Sequence, residues 1–150
     1  MKRGRLDILP VDDDDHDIFF VQKAMERAGA GDTVHPVHDG EEAIHYLRGE
    51  GMYADRTKFP VPNLILCDLK MPRMDGFGFL EWLRSHPECS IIPMIIYSSS
   101  ALESDVRAAY RHGANSYIVK PIDLDEMVET LRTMYQYWSR CECPPMPDGC

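Results

Sequence analysis

Five times along the chain a short apolar run gives way to a stretch with helical spacing. That alternation constrains the fold more than any single motif. The runs are 6–11, 33–37, 63–68, 91–97 and 116–119. After the first come Ile18, Val21, Met25 and Ala28, and after the second Ala43, Ile44 and Leu47. Phe79, Leu80 and Leu83 follow the third, within a helix expected over 75–85. Leu102, Val106, Ala109 and Tyr110 follow the fourth and stop at Gly113. Met127, Leu131, Met134 and Trp138 follow the fifth, in a helix starting at Asp123. Continuous apolar runs fit strands buried on both faces, as in a parallel sheet. Strands alternating with helices fit right-handed crossovers that cover both faces of that sheet. The expectation is an α/β chain with a doubly wound, five-stranded parallel sheet. Pro10 resists it, because proline removes a ladder hydrogen bond. The segment 49–62 is long and polar for a connection inside a compact domain, and such loops are often functional.

At 150 residues the chain reads as one domain over 1–140 followed by a disordered tail over 141–150, where Pro144, Pro145 and Pro147 crowd together. A net charge of −9 argues against a nucleic-acid surface, which needs a basic patch. No apolar segment follows the basic start Met1-Lys2-Arg3-Gly4-Arg5, and no run of about 18 apolar residues exists. These features point to a cytoplasmic protein without direct membrane or nucleic-acid contact. The cysteines are five and lack framework spacing, so no disulfide is expected. Cys141, Cys143 and Cys150 have no second cysteine or histidine pair to complete a metal site.

In a parallel sheet the carboxyl ends of the strands converge on one edge, where ligands bind. The first strand delivers Asp12 and Asp13 there, the third Asp68, the fourth Ser98 and the fifth Lys120. Three carboxylates at close quarters repel one another, and a hard cation relieves them. Mg2+ suits a few carboxylates, a carbonyl and water. A carboxylate nucleophile, a Mg2+ site, an ammonium and a hydroxyl together make a phosphoryl-accepting site. Taken singly, each piece has a plainer reading. The run Asp12 to Asp15 makes an acidic turn, 98–100 caps a helix, and Lys120-Pro121 makes a surface turn. A calcium loop beginning at Asp13 fails, because Ile18 and Ala24 stand where glycine and glutamate are required. No phosphate-binding Gly-x-x-x-x-Gly-Lys-[Ser/Thr] loop is present.

The conjunction resembles the receiver domain of bacterial two-component response regulators, the CheY-like family. It rests on Val11-Asp12-Asp13, on Asp68-Leu69-Lys70-Met71-Pro72-Arg73-Met74-Asp75-Gly76, on Ser98-Ser99 and on Tyr117-Ile118-Val119-Lys120-Pro121. The resemblance covers about residues 5 to 138. It implies a flavodoxin-like (βα)5 sheet of order 2-1-3-4-5, with Asp68 as phosphoacceptor. Asp12, Asp13, Asp68 and the Lys70 carbonyl are then the Mg2+ ligands. Ser98 hydrogen-bonds the phosphoryl group, Lys120 pairs with it, and Tyr117 is the aromatic switch. The Lys120–Pro121 bond is expected to be cis. Ser98 replaces the commoner threonine but keeps the hydroxyl. The long 49–62 loop, with Tyr53 and Phe59, is similar to that of single-domain regulators accompanying phytochromes.

The implied function is a stand-alone response regulator that takes a phosphoryl group from a histidine kinase, with a phytochrome-type photoreceptor as the kinase that the resemblance suggests. Catalysis is confined to its own phosphorylation and dephosphorylation. The implied association is a homodimer through the fourth helix, fifth strand and fifth helix. Two other classes compete. An aspartyl-phosphate phosphatase needs a second acid two residues after its nucleophile, where this chain has Lys70. A phosphorylation-independent scaffold has no need of the acidic pair, Ser98 and Lys120 together.

Overall fold

The computed structural model describes residues 5–144. Four parallel strands form one sheet in the order β1-β2-β3-β4: β1 (Ile8–Val11), β2 (Leu64–Cys67), β3 (Met94–Ser98) and β4 (Ser116–Val119). The helices are α1 (Asp15–Arg27), α2 (Gly40–Arg48), α3 (Gly76–Ser85), α4 (Glu103–Arg111) and α5 (Leu124–Trp138).

Side chains alternate across the strands and so split the interior in two. Leu9, Val11, Ile65, Cys67, Met94 and Ile96 point to one face, where Ala43 and Leu47 of α2, Phe79, Leu80 and Leu83 of α3, and Ala109 of α4 cover them. Ile8, Leu64, Leu66, Ile95 and Tyr97 point to the other, under Val21, Ala24 and Met25 of α1 and Met127, Val128 and Leu131 of α5. The sheet is therefore doubly wound.

The strand expected over 33–37 is not a strand among the described residues. Only two isolated parallel bridges remain, Ile8 to Val34 and Val11 to Val37. Pro10 supplies the reason. The carbonyls of Ile8 and Pro10 accept from the amides of His35 and Val37, at 3.0 and 2.9 Å. A strand residue directs its N–H and C=O to the same side, so the donor missing at Pro10 is missing on this edge. Pairing with β2 is untouched and runs in register from Ile8–Leu64 to Val11–Cys67, without a bulge. The expected five-stranded sheet of order 2-1-3-4-5 is thus four strands, with a bridged segment beside β1. The strand expected fifth is β4.

Aspartates cap four of the helices. Asp14, Asp39, Asp75 and Asp123 each accept a backbone N–H of the following first turn. The 49–62 segment is built as a plug. Arg56 donates to the carbonyls of Tyr46, Leu47 and Phe59, and the Tyr46 hydroxyl donates to the Pro60 carbonyl. Tyr46, Tyr53 and Phe59 pack against one another with ring centers 4.9 to 6.0 Å apart, Phe59 edge-on to both tyrosines.

Other expectations are corrected. No peptide bond among the described residues is cis. In the trans form Lys120 already donates its amide to Ser98 at 2.8 Å, and trans is the intrinsically lower state. Cys89 is disulfide-bonded, against the expectation of no disulfide, while Cys67, Cys141 and Cys143 are free. Leu102 and Tyr110, expected inside, are 63% and 50% exposed. On α5, Val128 is buried beside Met127, Leu131 and Met134, while Tyr137 is 64% exposed. The tail expected over 141–150 falls outside the described residues from 145 on. Before that, Cys143 packs on the core beside α5. No helix among the described residues is long and apolar enough to cross a membrane.

Candidate functional site

The carboxyl ends of β1, β2, β3 and the loop after β4 bring Asp12, Asp68, Ser98 and Lys120 to one edge. The center of the site is the Lys120 ammonium, which is buried. Its Nζ donates to Asp68 Oδ2 at 2.8 Å, Asp12 Oδ2 at 2.9 Å and Asp17 Oδ2 at 2.6 Å. The other oxygen of Asp68 accepts from the Leu69 amide at 2.7 Å. The other oxygen of Asp12 accepts from the Asp14 amide at 2.9 Å. Both carboxylates are therefore fixed by backbone as well as by Lys120.

Asp12, Asp13 and Asp68 each offer an oxygen, and these oxygens all lie within 4.8 Å of one another. An all-oxygen, carboxylate-rich donor set of this kind fits a hard divalent cation such as Mg2+. Asp13 is exposed, Asp68 half-buried and Asp12 buried, so a cation would enter from the Asp13 side.

One ammonium serves three carboxylates, and the electrostatics follow. Burial alone would weaken the proton's hold on Lys120, but the three acidic partners outweigh it and hold the group charged far beyond its usual range. Asp12 has only a share of that ammonium. Burial dominates there and lifts its carboxyl to about 6, against the opposing pull of Lys120.

Ser98 is buried, and its hydroxyl oxygen accepts from the Ser100 amide at 3.2 Å. Asp68, Lys70 and residues 98–102 line one cleft, and Lys70 itself is exposed. Tyr117 is half-buried against the α2–α3–α4 core, and its hydroxyl donates to the Ser100 carbonyl at 2.8 Å. The structure thus brings together Asp12, Asp13, Asp68, Ser98 and Lys120, with Lys70 on the rim and Tyr117 one loop away.

Two close approaches hold the loop after β2 in place. A Cβ on Gly76 would meet the Asp68 carbonyl at 2.2 Å, so only glycine lets α3 begin this near Asp68. Arg73 adopts φ 62°, in the left-handed region, and its guanidinium pairs with the buried Asp39 at the head of α2.

Asp17 was not singled out from the sequence. An acidic residue in the first turn of a helix reads as a partner of the helix dipole. Only the packing of α1 against α5, on one face of the sheet, brings it within reach of Lys120.

A family model described as the response regulator receiver domain matches residues 8–132. The chain is 30% identical over 131 residues to the response regulator Rcp1 of Synechocystis, covering 87% of each chain. The Mn2+-bound form of Rcp1 superimposes with a TM-score of 0.83, covering 92% of this chain and 98% of that one, at 29% identity. The probable methanogenesis regulatory protein FilR2 of Methanothrix harundinacea is 30% identical over 141 residues, 93% of this chain and 88% of the relative. The phosphorylated cyanobacterial phytochrome response regulator RcpA superimposes with a TM-score of 0.86 at 32% identity, covering 95% of this chain and all of that one. With a family model spanning residues 8–132 and relatives at 30% identity or more over nearly their whole length, the chain belongs to the response regulator receiver domain family.

Proposed function

We propose that this receiver is a switch that accepts a phosphoryl group on Asp68 from the phosphohistidine of a histidine kinase. One observation carries the reading: Asp68 stands at the strand end with Lys120 on one oxygen, a backbone amide on the other, and Asp12 and Asp13 beside it. An Asp68 oxygen attacks phosphorus, the P–N bond breaks, and its electron pair leaves with the imidazole. Leu69 and Lys120 fix the attacking carboxylate, so that little reorganisation is needed at the moment of transfer. Asp12, Asp13, Asp68 and the Lys70 carbonyl would hold Mg2+, which neutralises charge on the transferring group. Lys120 then pairs with a phosphoryl oxygen, and the Ser98 hydroxyl turns from the Ser100 amide to donate to another.

Ser98 and Tyr117 meet on the same short loop, one bound to the Ser100 amide and the other to its carbonyl. Drawing Ser98 toward a phosphoryl group therefore pulls on the loop that holds the Tyr117 ring. Altered contacts with a downstream protein, and homodimerisation through α4, β4 and α5, are the outputs this coupling supports. The likeness to phytochrome response regulators favours a phytochrome-type kinase as donor, in the cytoplasm.

Incubation with acetyl phosphate and Mg2+ tests the reading. One acid-stable, base-labile phosphoryl group should appear on the protein, and Asp68→Asn or EDTA should each abolish it. Full labelling of Asp68→Asn would overturn the assignment.

A further inference from the structure

An ammonium has three N–H bonds, and Lys120 gives one to each of three carboxylates. The nearest of the three acceptors, Asp17, belongs neither to the acceptor nor to the cluster that suits a cation. Asp12, Asp13 and Asp68 form that cluster. Beneath the ammonium lies the Tyr97 ring, 5.6 Å from Nζ to its center. The Tyr97 hydroxyl is buried without a hydrogen-bond partner. Burying a hydroxyl unpaired is costly, and the ring's contact with the ammonium offsets part of that cost. Asp17 and Tyr97 together form a seat for Lys120 from residues outside the cation cluster.

We propose that Asp17 is a positioning residue that draws the Lys120 ammonium off Asp12 and Asp68, leaving those carboxylates open to a divalent cation. The proposal rests on the reading of Asp12, Asp13 and Asp68 as the cation site. Its physical basis is competition. Lys120 is itself a cation that occupies Asp12 and Asp68, and a divalent ion must loosen both contacts to enter. With Asp17 present, the ammonium keeps a charged partner when they loosen. Without it, Lys120 has only Asp12 and Asp68 left, and it grips them harder.

The test is a titration of the full chain with Mg2+ followed by calorimetry, and with Mn2+ followed by electron paramagnetic resonance. Asp17→Asn keeps the shape of the side chain and leaves Lys120 two carboxylate partners. It should weaken binding of both ions roughly five- to tenfold, about the difference between a charge-assisted hydrogen bond and the neutral one that the asparagine oxygen can still accept. Asp17→Glu should restore much of the affinity. Removing a negative charge also weakens cation binding through the field alone, so the same change is made in a Lys120→Gln background. If Asp17 works by holding Lys120, its loss there should have little further effect. Thermal melts of each variant in EDTA establish that it is folded. Unchanged affinity in Asp17→Asn, or an equal loss in the Lys120→Gln background, would overturn the proposal. A parent chain that binds neither ion would instead overturn the cation-site reading, and the proposal with it.

Discussion

Asp12 shows how a shared counterion leaves a buried carboxylate under-served. Its ordinary value of 3.8 rises to about 6 in the fold, chiefly by burial. The sign follows from linkage. The unfolded chain loses this proton near its ordinary value, whereas the folded chain keeps it until about pH 6. Ionised Asp12 therefore costs stability, and the cost develops as the pH rises between those two values. At 1.36 kcal/mol per unit, it reaches about 3 kcal/mol above pH 6. In EDTA, Asp12→Asn should match the parent near pH 4 and exceed it by ~1 to 3 kcal/mol near pH 7.5. Urea unfolding at the two pH values measures this, and a difference that does not change with pH would contradict it. Gly76 makes a steric prediction instead. Its Cβ position lies 2.2 Å from the Asp68 carbonyl and 2.9 Å from Leu69 Cα, both rigid backbone. Gly76→Ala should cost ~1 to 3 kcal/mol and displace the acceptor, seen as a lower unfolding midpoint and slower labelling by acetyl phosphate. Normal labelling kinetics in a stable Gly76→Ala would remove that steric argument.

At the scale of elements, legibility in the sequence followed burial. The core-facing residues Phe79, Leu80 and Leu83 of α3 and Met127, Leu131 and Met134 of α5 are where the spacing put them, because one packed face dictates a helical period. Asp12, Asp68, Ser98 and Lys120 were legible for a related reason, since each ends an apolar run and parallel strands share one edge. What escaped depends on tertiary placement. Asp17 looks like any acidic residue at a helix start until α1 is packed against α5 and Lys120 comes within reach. The 49–62 segment looked like a functional loop because its anchors, Arg56 and Tyr46, meet only when the chain folds back. The missing strand is a backbone matter and can be repaired. Pro10→Val supplies an N–H toward the His35 carbonyl, continuing the pattern that Asp12 and Val37 already make at 3.1 Å. The added hydrogen bond contributes ~0.5 to 1.5 kcal/mol. Losing proline's restriction of the unfolded chain costs about 0.4 to 1 kcal/mol. Global stability should hardly move, whereas hydrogen exchange at Val37 and at the new residue 10 amide should slow. Fast exchange at residue 10 would show that the edge stays open for another reason.

Across the whole molecule, apolar exposure is lopsided. Leu102, Tyr110, Val119, Ile122, Leu124 and Tyr137 are each more than 40% exposed, and all belong to α4, β4, α5 or their flanking loops. Elsewhere among the described residues, only Phe19, Met52 and Ile91 are comparably exposed large apolar residues. β4 is also the outer strand of the sheet, and its residues are at best half-buried, unlike those of the other three strands. Contiguous apolar exposure of this kind marks an interaction surface. Ile122 is fully exposed two residues after Lys120, and Tyr117 lies in β4 itself, so this surface adjoins the edge that holds Asp68 and Lys120. A two-fold dimer through this face should therefore tighten on phosphorylation. Sedimentation with beryllofluoride, which mimics the phosphoryl group, should show a heavier species than without it. Tyr137→Glu should reverse this, because it places a charge in the contact at a side chain that is largely exposed in the monomer. Tyr135 packs against the α1–α5 core, so Tyr135→Glu would confound association with folding. A monomer in both states at high concentration would refute the dimer and leave this apolar face to a different protein, such as the kinase.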